Sequence, residues 1–219
     1  MLIERCPKLE ELTLGRPSPS PRLFDVRHIT AGRWSRLHTL TLGDTLMISS
    51  NAGEEQARKD WTAFMTFFAW HQSLINVHLK HAPGSVHFPS GFVLPSVALP
   101  RLRSFSGPLK FVRTLPNPRN IHHLTLTCLH HTASVFQPTF NILRDLYSLS
   151  SLSIWIDMSI GLGARLGSVS GSVHTQQPRP VDEAHIFRAL LSACGPSLRH
   201  LDLKCFTQPT FPIVSSVID

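Results

Sequence analysis

Leu198-Arg199-His200-Leu201-Asp202-Leu203 is the stretch from which the rest of the chain can be read. It places leucine at positions 1, 4 and 6 of a six-residue frame, and Gly195-Pro196-Ser197 leads into it. The same frame recurs at Leu9/Leu12/Leu14, Leu37/Leu40/Leu42, Leu74/Val77/Leu79, Ile121/Leu124/Leu126 and Leu149/Leu152/Ile154. Leu102/Phe105/Gly107 is a weaker copy whose last position has lost its side chain. Side chains alternate along an extended strand, so positions 4 and 6 share one side and position 5 takes the other. Position 5 is polar in every copy: Thr13, Thr41, His78, Ser106, Thr125, Ser153 and Asp202. Each copy therefore reads as a short strand with one buried side and one open side.

The first residues of successive copies are separated by 28, 37, 28, 19, 28 and 49 residues. A leucine frame returning at roughly 20 to 29 residues is the strand signature of a leucine-rich repeat. The expected fold is α/β: a single degenerate leucine-rich-repeat solenoid over residues 1–219, with a curved parallel sheet of about seven short strands and an irregular helical or looped convex side. Stacked strands about 4.8 Å apart would line up the position 5 residues in a column.

The return segments read unevenly. The best helix runs from Gly53 to Trp70, with Glu54 and Glu55 in its first turn and an apolar stripe of Trp61, Phe64, Met65 and Phe68 expected to cover the second and third strands. Prolines 83, 89, 95 and 100 rule out a long helix between His81 and Pro100, and Pro108, Pro116 and Pro118 predict extended or looped chain before Ile121. A second helix is expected over Thr139 to Tyr147, with Phe140, Leu143 and Leu146 in register. A third follows Asp182 as its cap, turns Ile186, Ala189, Leu190 and Ala193 inward, and ends at Gly195. The proline-rich stretch 16–22 reads as an exposed loop, and the Gly/Ser-rich stretch 159–180 as a mobile insertion. Ser18 and Ser20 each precede a proline, which suits turn chemistry or a proline-directed kinase.

A chain of 219 residues, 42% apolar and 16% charged, is long enough for a continuous core. Met1-Leu2-Ile3-Glu4-Arg5 lacks the order of a secretory signal, and the uncharged stretch from Trp61 to Leu79 is interrupted by His71, Gln72, Asn76 and His78, so no membrane span is expected. Four cysteines without paired spacing read as reduced thiols of an intracellular protein, cytoplasmic or nuclear. Cys128 and Cys205 each fall two residues after position 6, which predicts small core side chains.

The net charge of +7 lies entirely in the middle of the chain. Between Trp61 and Arg144 there is no acid, while Lys80, Arg101, Arg103, Lys110, Arg113, Arg119 and Arg144 supply seven cations and eight of the 13 histidines fall there too. Such a middle could attract nucleic acid or another anionic surface. The cations are scattered and no aromatic motif accompanies them in the sequence, which favours a surface that merely lacks acids; nucleic acid or an anionic surface bound by 61–144 stands as the alternative function.

Local evidence for chemistry is absent. Gly161, Gly163 and Gly167 have the wrong spacing for a nucleotide loop, and in Gly167-Ser168-Val169-Ser170-Gly171 the serine sits one place late for a nucleophile elbow. The pairs His122-His123, His130-His131 and Glu10-Glu11 each diverge to opposite sides of a strand. No catalytic residue, metal or cofactor is assigned, and the chain is read as a non-enzyme. The candidate partner-binding residues lie on the open side of the strands: Thr41, Asn76, His78, Lys80, His123, Thr125, Ser153, Trp155, His200, Asp202 and Lys204. Trp155, between the inward Ile154 and Ile156, either anchors a partner or packs beneath the insertion.

With the repeats in view, the chain resembles the leucine-rich-repeat part of F-box proteins, particularly the degenerate ones abundant in fungi. The resemblance rests on Cys6-Pro7-Lys8-Leu9-Glu10-Glu11-Leu12-Thr13-Leu14, on Leu99-Pro100-Arg101-Leu102-Arg103-Ser104-Phe105, and on Cys194-Gly195-Pro196-Ser197-Leu198-Arg199-His200-Leu201-Asp202-Leu203. It implies a protein-binding solenoid that selects a ubiquitin-ligase substrate, with the ligase adaptor held by a separate F-box. Met1 stands five residues before the Cys6 opening, so the F-box itself is lacking and adaptor binding is expected only where an F-box exists upstream. The first strand would then expose an apolar edge, as in a fragment or a chain whose edge a partner covers.

Overall fold

The computed structural model describes residues 6–15, 29–43, 54–79, 93–130, 133–157, 183–194 and 196–206. Seven strands, one per copy of the frame, form one parallel sheet in chain order: β1 (Glu11–Leu14), β2 (Thr39–Leu42), β3 (Asn76–Leu79), β4 (Ser104–Gly107), β5 (His123–His130), β6 (Ser151–Asp157) and β7 (His200–Phe206). The register follows the frame. Position 4 of each copy pairs with position 4 of the next, from Leu12 and Leu40 through Val77, Phe105, Leu124 and Leu152 to Leu201. A slip of one residue would turn every one of these side chains to the opposite face. Instead Leu40, Val77, Phe105, Leu124 and Leu152 are all buried, as are the position 1 residues Leu37, Leu74, Leu102, Ile121 and Leu149.

The backbone repeats with the side chains. The position 1 amides of Leu9, Leu37, Leu74, Leu102, Ile121 and Leu149 each donate to the carbonyl three residues earlier, closing a tight turn before each strand. The position 2 carbonyls of Glu10, His38, Ile75, Arg103, His122 and Ser150 each accept from two amides of the following copy, at positions 2 and 3. In the copies from Leu37 to Leu149 the amides of positions 1, 2 and 3 are all satisfied in this way where the chain bends into the sheet, as buried backbone donors require.

The segments that connect these strands include the helices α1 (Glu54–Trp70), α2 (Leu109–Val112), α3 (Ala133–Arg144) and α4 (Glu183–Ala193). On α1 the buried side chains are Asp60, Trp61, Phe64, Phe67 and Phe68, whereas Met65 is only half-buried, so the stripe runs one residue wider than the sequence reading and is centred on phenylalanine. Asp60 accepts from Gln56 Nε2 at 2.8 Å, which satisfies the carboxylate in the helix wall. Phe64 and Phe68 meet edge to face at 4.5 Å, and Phe68 reaches Phe111 of α2 at 5.7 Å. Phe111 in turn stacks on Phe105 of β4 at 5.2 Å and 6°. The helix thus packs as far along as the fourth strand's return, beyond the second and third strands it was expected to cover.

Three expectations are corrected here. The segment before Ile121 is helical in two short pieces, α2 and a 3-10 turn over Pro118–Asn120, because proline is tolerated where a helix starts: Pro108 caps α2 and Pro118 opens the turn. Helix α3 begins at Ala133 and ends at Arg144, whereas the reading ran from Thr139 to Tyr147; Pro138 sits inside it, and Leu146 is buried in the turn beyond. In β5 the pairing with β6 shifts between Leu126 and Leu129, so Leu129, and not Cys128, occupies the register position opposite Ile156. Cys205 keeps its place opposite Ile156 on the other side. In α4, Leu190 and Ala193 are buried and Ala189 half-buried, while the side chain of Ile186 lies outside the described ones. Asp182, Gly195, the stretch 16–22 with Ser18 and Ser20, and the insertion 159–180 lie outside the described residues.

Candidate functional site

The register that buries positions 4 and 6 sends positions 3 and 5 to the other face. Thr41, His78, Ser106, Thr125, Ser153 and Asp202 succeed one another from β2 to β7, and Thr39, Asn76, Ser104, His123, Ser151 and His200 form the neighbouring column. Past position 6, Trp155 of β6 pairs in register with Lys204 of β7. Ten of the eleven candidate residues are brought together in this way; Lys80 lies outside the described residues. Thr41, Asn76, His78, Thr125 and Ser153 are half-buried, while His123, Trp155, His200, Asp202 and Lys204 are exposed.

At the β6–β7 end of this face the side chains form a linked set of contacts. Ser153 Oγ donates to Asp202 Oδ2 at 3.2 Å, Lys204 Nζ pairs with the same oxygen at 3.0 Å, and Nζ stands 5.3 Å from the centroid of the Trp155 ring, which is 40% exposed. Both partners of the ion pair are more than half exposed, so it adds little stability and acts to pose the lysine over the ring. Elsewhere Asn76 Nδ2 donates to Thr39 Oγ1 at 3.1 Å across β2 and β3. Such a surface offers hydroxyl and amide donors and acceptors, one aromatic anchor and a cation, the chemistry of a polar protein contact. The Ser153 hydroxyl points its proton at a carboxylate with no histidine between them, which is not the arrangement of an activated nucleophile.

A column that the sequence reading missed lies three residues before position 1. Trp34, His71, Leu99 and Leu146 are buried there, each the acceptor of the turn bond described above. The recurring apolar residue at that offset was a signal, but His71 does not look apolar. Its Nδ1–H donates to the Phe67 carbonyl at 2.8 Å, and its Nε2 accepts the backbone amide of Trp34 at 3.1 Å. The ring also lies 4.0 Å from that of Phe67. Burial lowers the His71 pKa, against the Phe67 hydrogen bond that raises it and with Arg33 lowering it further. His71 is a neutral core residue and does not belong to the basic surface counted from the sequence. Cys194, half-buried, has its thiol pKa raised by burial.

Fold and face together define an α/β protein with a single all-parallel seven-stranded sheet that displays a polar, strand-borne surface. No protein-family model matches the chain, and comparison with curated proteins and with solved structures finds no match. Among the described residues no group of three or more His, Cys, Asp or Glu could hold a metal ion, and no helix is long and apolar enough to cross a membrane.

Proposed function

We propose that the chain is a non-catalytic leucine-rich-repeat solenoid that binds a protein on its polar sheet face, as the substrate-selecting part of an F-box ubiquitin-ligase receptor would. The observation that carries this reading is the alignment of Thr41, His78, Ser106, Thr125, Ser153 and Asp202 in one column across consecutive strands, with Trp155 and Lys204 beside them. A partner laid across the strands meets one polar side chain every 4.8 Å or so and an aromatic anchor at the end. The sparse net charge of the column suits hydrogen-bonded recognition.

Affinity capture with the wild type and with the Trp155→Ala/Lys204→Ala variant tests it, with thermal unfolding as the control for integrity. A partner recovered at least tenfold less by a variant of unchanged melting temperature supports the reading. Equal recovery of every partner by both proteins overturns it.

A further inference from the structure

All seven strands begin along one edge of the sheet, and the chain reaches each of them through a similar segment, from four residues before position 1 to position 2. For β2 to β7 these segments carry Arg33, Arg36, Arg101, Arg103, Arg119 and Arg199 against a single acid, Asp145. All six guanidinium-bearing residues are exposed. They span five strand spacings, about 24 Å. Arg33, Arg36 and Arg199 lie outside the acid-free middle of the sequence, so the row is made by folding and not by local composition.

Aromatic rings are interleaved with it. The Arg33 guanidinium lies 4.1 Å from the centroid of the Trp70 ring while its Nη1 donates to the carbonyls of Thr30 and Gly32 at 3.1 and 3.0 Å. Arg119 lies 5.5 Å from the Tyr147 ring. Both rings are 62% exposed. Arg33 and Trp70 each stand four residues before position 1, and Arg119 and Tyr147 each stand two before it, so equivalent positions of neighbouring units have stacked. The sequence conceals this because the partners are 37 and 28 residues apart.

We propose that this edge binds single-stranded nucleic acid, with phosphates along the arginine row and bases against Trp70 and Tyr147. A row of cations alone would serve any polyanion; exposed rings posed among them add the planar contact that bases make and carboxylate side chains do not. This proposal uses a different surface from the sheet face and stands or falls independently of it.

Fluorescence anisotropy of a labelled 12-mer of thymidines, titrated with the full chain, tests it. Binding is expected to weaken with a slope near −4 in log K against log salt, from about −0.7 per phosphate for six contacts. Arg101→Ala/Arg103→Ala and, separately, Trp70→Ala and Tyr147→Ala are each expected to weaken binding at least fivefold, and Trp155→Ala to leave it unchanged. The proposal is overturned if the 12-mer does not bind at 50 mM salt, if polyglutamate of equal length competes as well as unlabelled 12-mer, if both ring variants bind like the wild type, or if Trp155→Ala weakens binding as much as they do. Each variant alters an exposed side chain, and its melting temperature separates lost binding from lost structure.

Discussion

At the scale of single residues the most consequential side chain is His71, because it carries a titratable group into the core. Its two ring nitrogens are committed, one to the Phe67 carbonyl and one to the Trp34 amide, so only the neutral ring satisfies both. Protonation would put a second donor against the Trp34 N–H in a buried site. The folded pKa lies below the ordinary histidine value, so as pH falls through about 6.5 the unfolded chain takes up a proton before the folded one. Stability conferred by neutral His71 is therefore complete above that value and declines below it, by at most about 1.4 kcal/mol per pH unit. Urea unfolding of the wild type at pH 7.5 and 5.5 should show this decline, and His71→Gln should be less stable at pH 7.5 yet lose less between the two. An equal pH dependence in both proteins would show that His71 titrates as freely folded as unfolded.

At the scale of elements β4 shows how a copy can depart from the frame and still take its place. Gly107 stands where the other copies have an aliphatic side chain, and the space is filled from within the strand: a β-carbon on Gly107 would come 2.8 Å from Phe105 Cζ and 3.2 Å from Leu79 Cβ. The Phe105 ring has folded over the missing position and stacks on Phe111. Gly107→Ala should therefore cost about 1–3 kcal/mol through crowding. Phe105→Leu combined with Gly107→Leu, which restores the frame, should cost less than the sum of the single changes, measured as a double-mutant cycle in chemical unfolding. The strands were legible in the sequence because each needs only a period of two and a polar position 5, which local residues supply. The candidate face was legible for the same reason, since register alone gathers it. The return segments were less so: the ends of α3 are not set by Pro138, the helical turn of α2 is held by Phe111 packing against rings from α1 and β4, and the shift that replaces Cys128 by Leu129 belongs to the pairing of two strands. The paired rings and arginines at the strand-starting edge were hidden by sequence separation alone.

At the scale of the whole molecule each strand is bonded to the strands next to it in sequence, so burial depends on where a unit stands in the row. Leu124 and Leu201 make the comparison direct, for both occupy position 4 and both pair with Leu152, one from each side. Leu124 has paired strands on both sides and is buried; Leu201 stands on β7, the last strand of the described sheet, and is half-buried. The side chains are identical, so the difference between them lies in the apolar area each has buried and in the cavity that truncation leaves. Leu124→Ala should cost about 2–5 kcal/mol, the range for a fully enclosed leucine. Leu201→Ala, with less area to lose and an outer side that can relax, should cost less than half as much. In a row of units that stabilise one another through nearest neighbours, such a gradient is expected at every equivalent position. Urea midpoints of the two variants against the wild type measure it, and equal losses would mean that the end of the sheet is as enclosed as its middle.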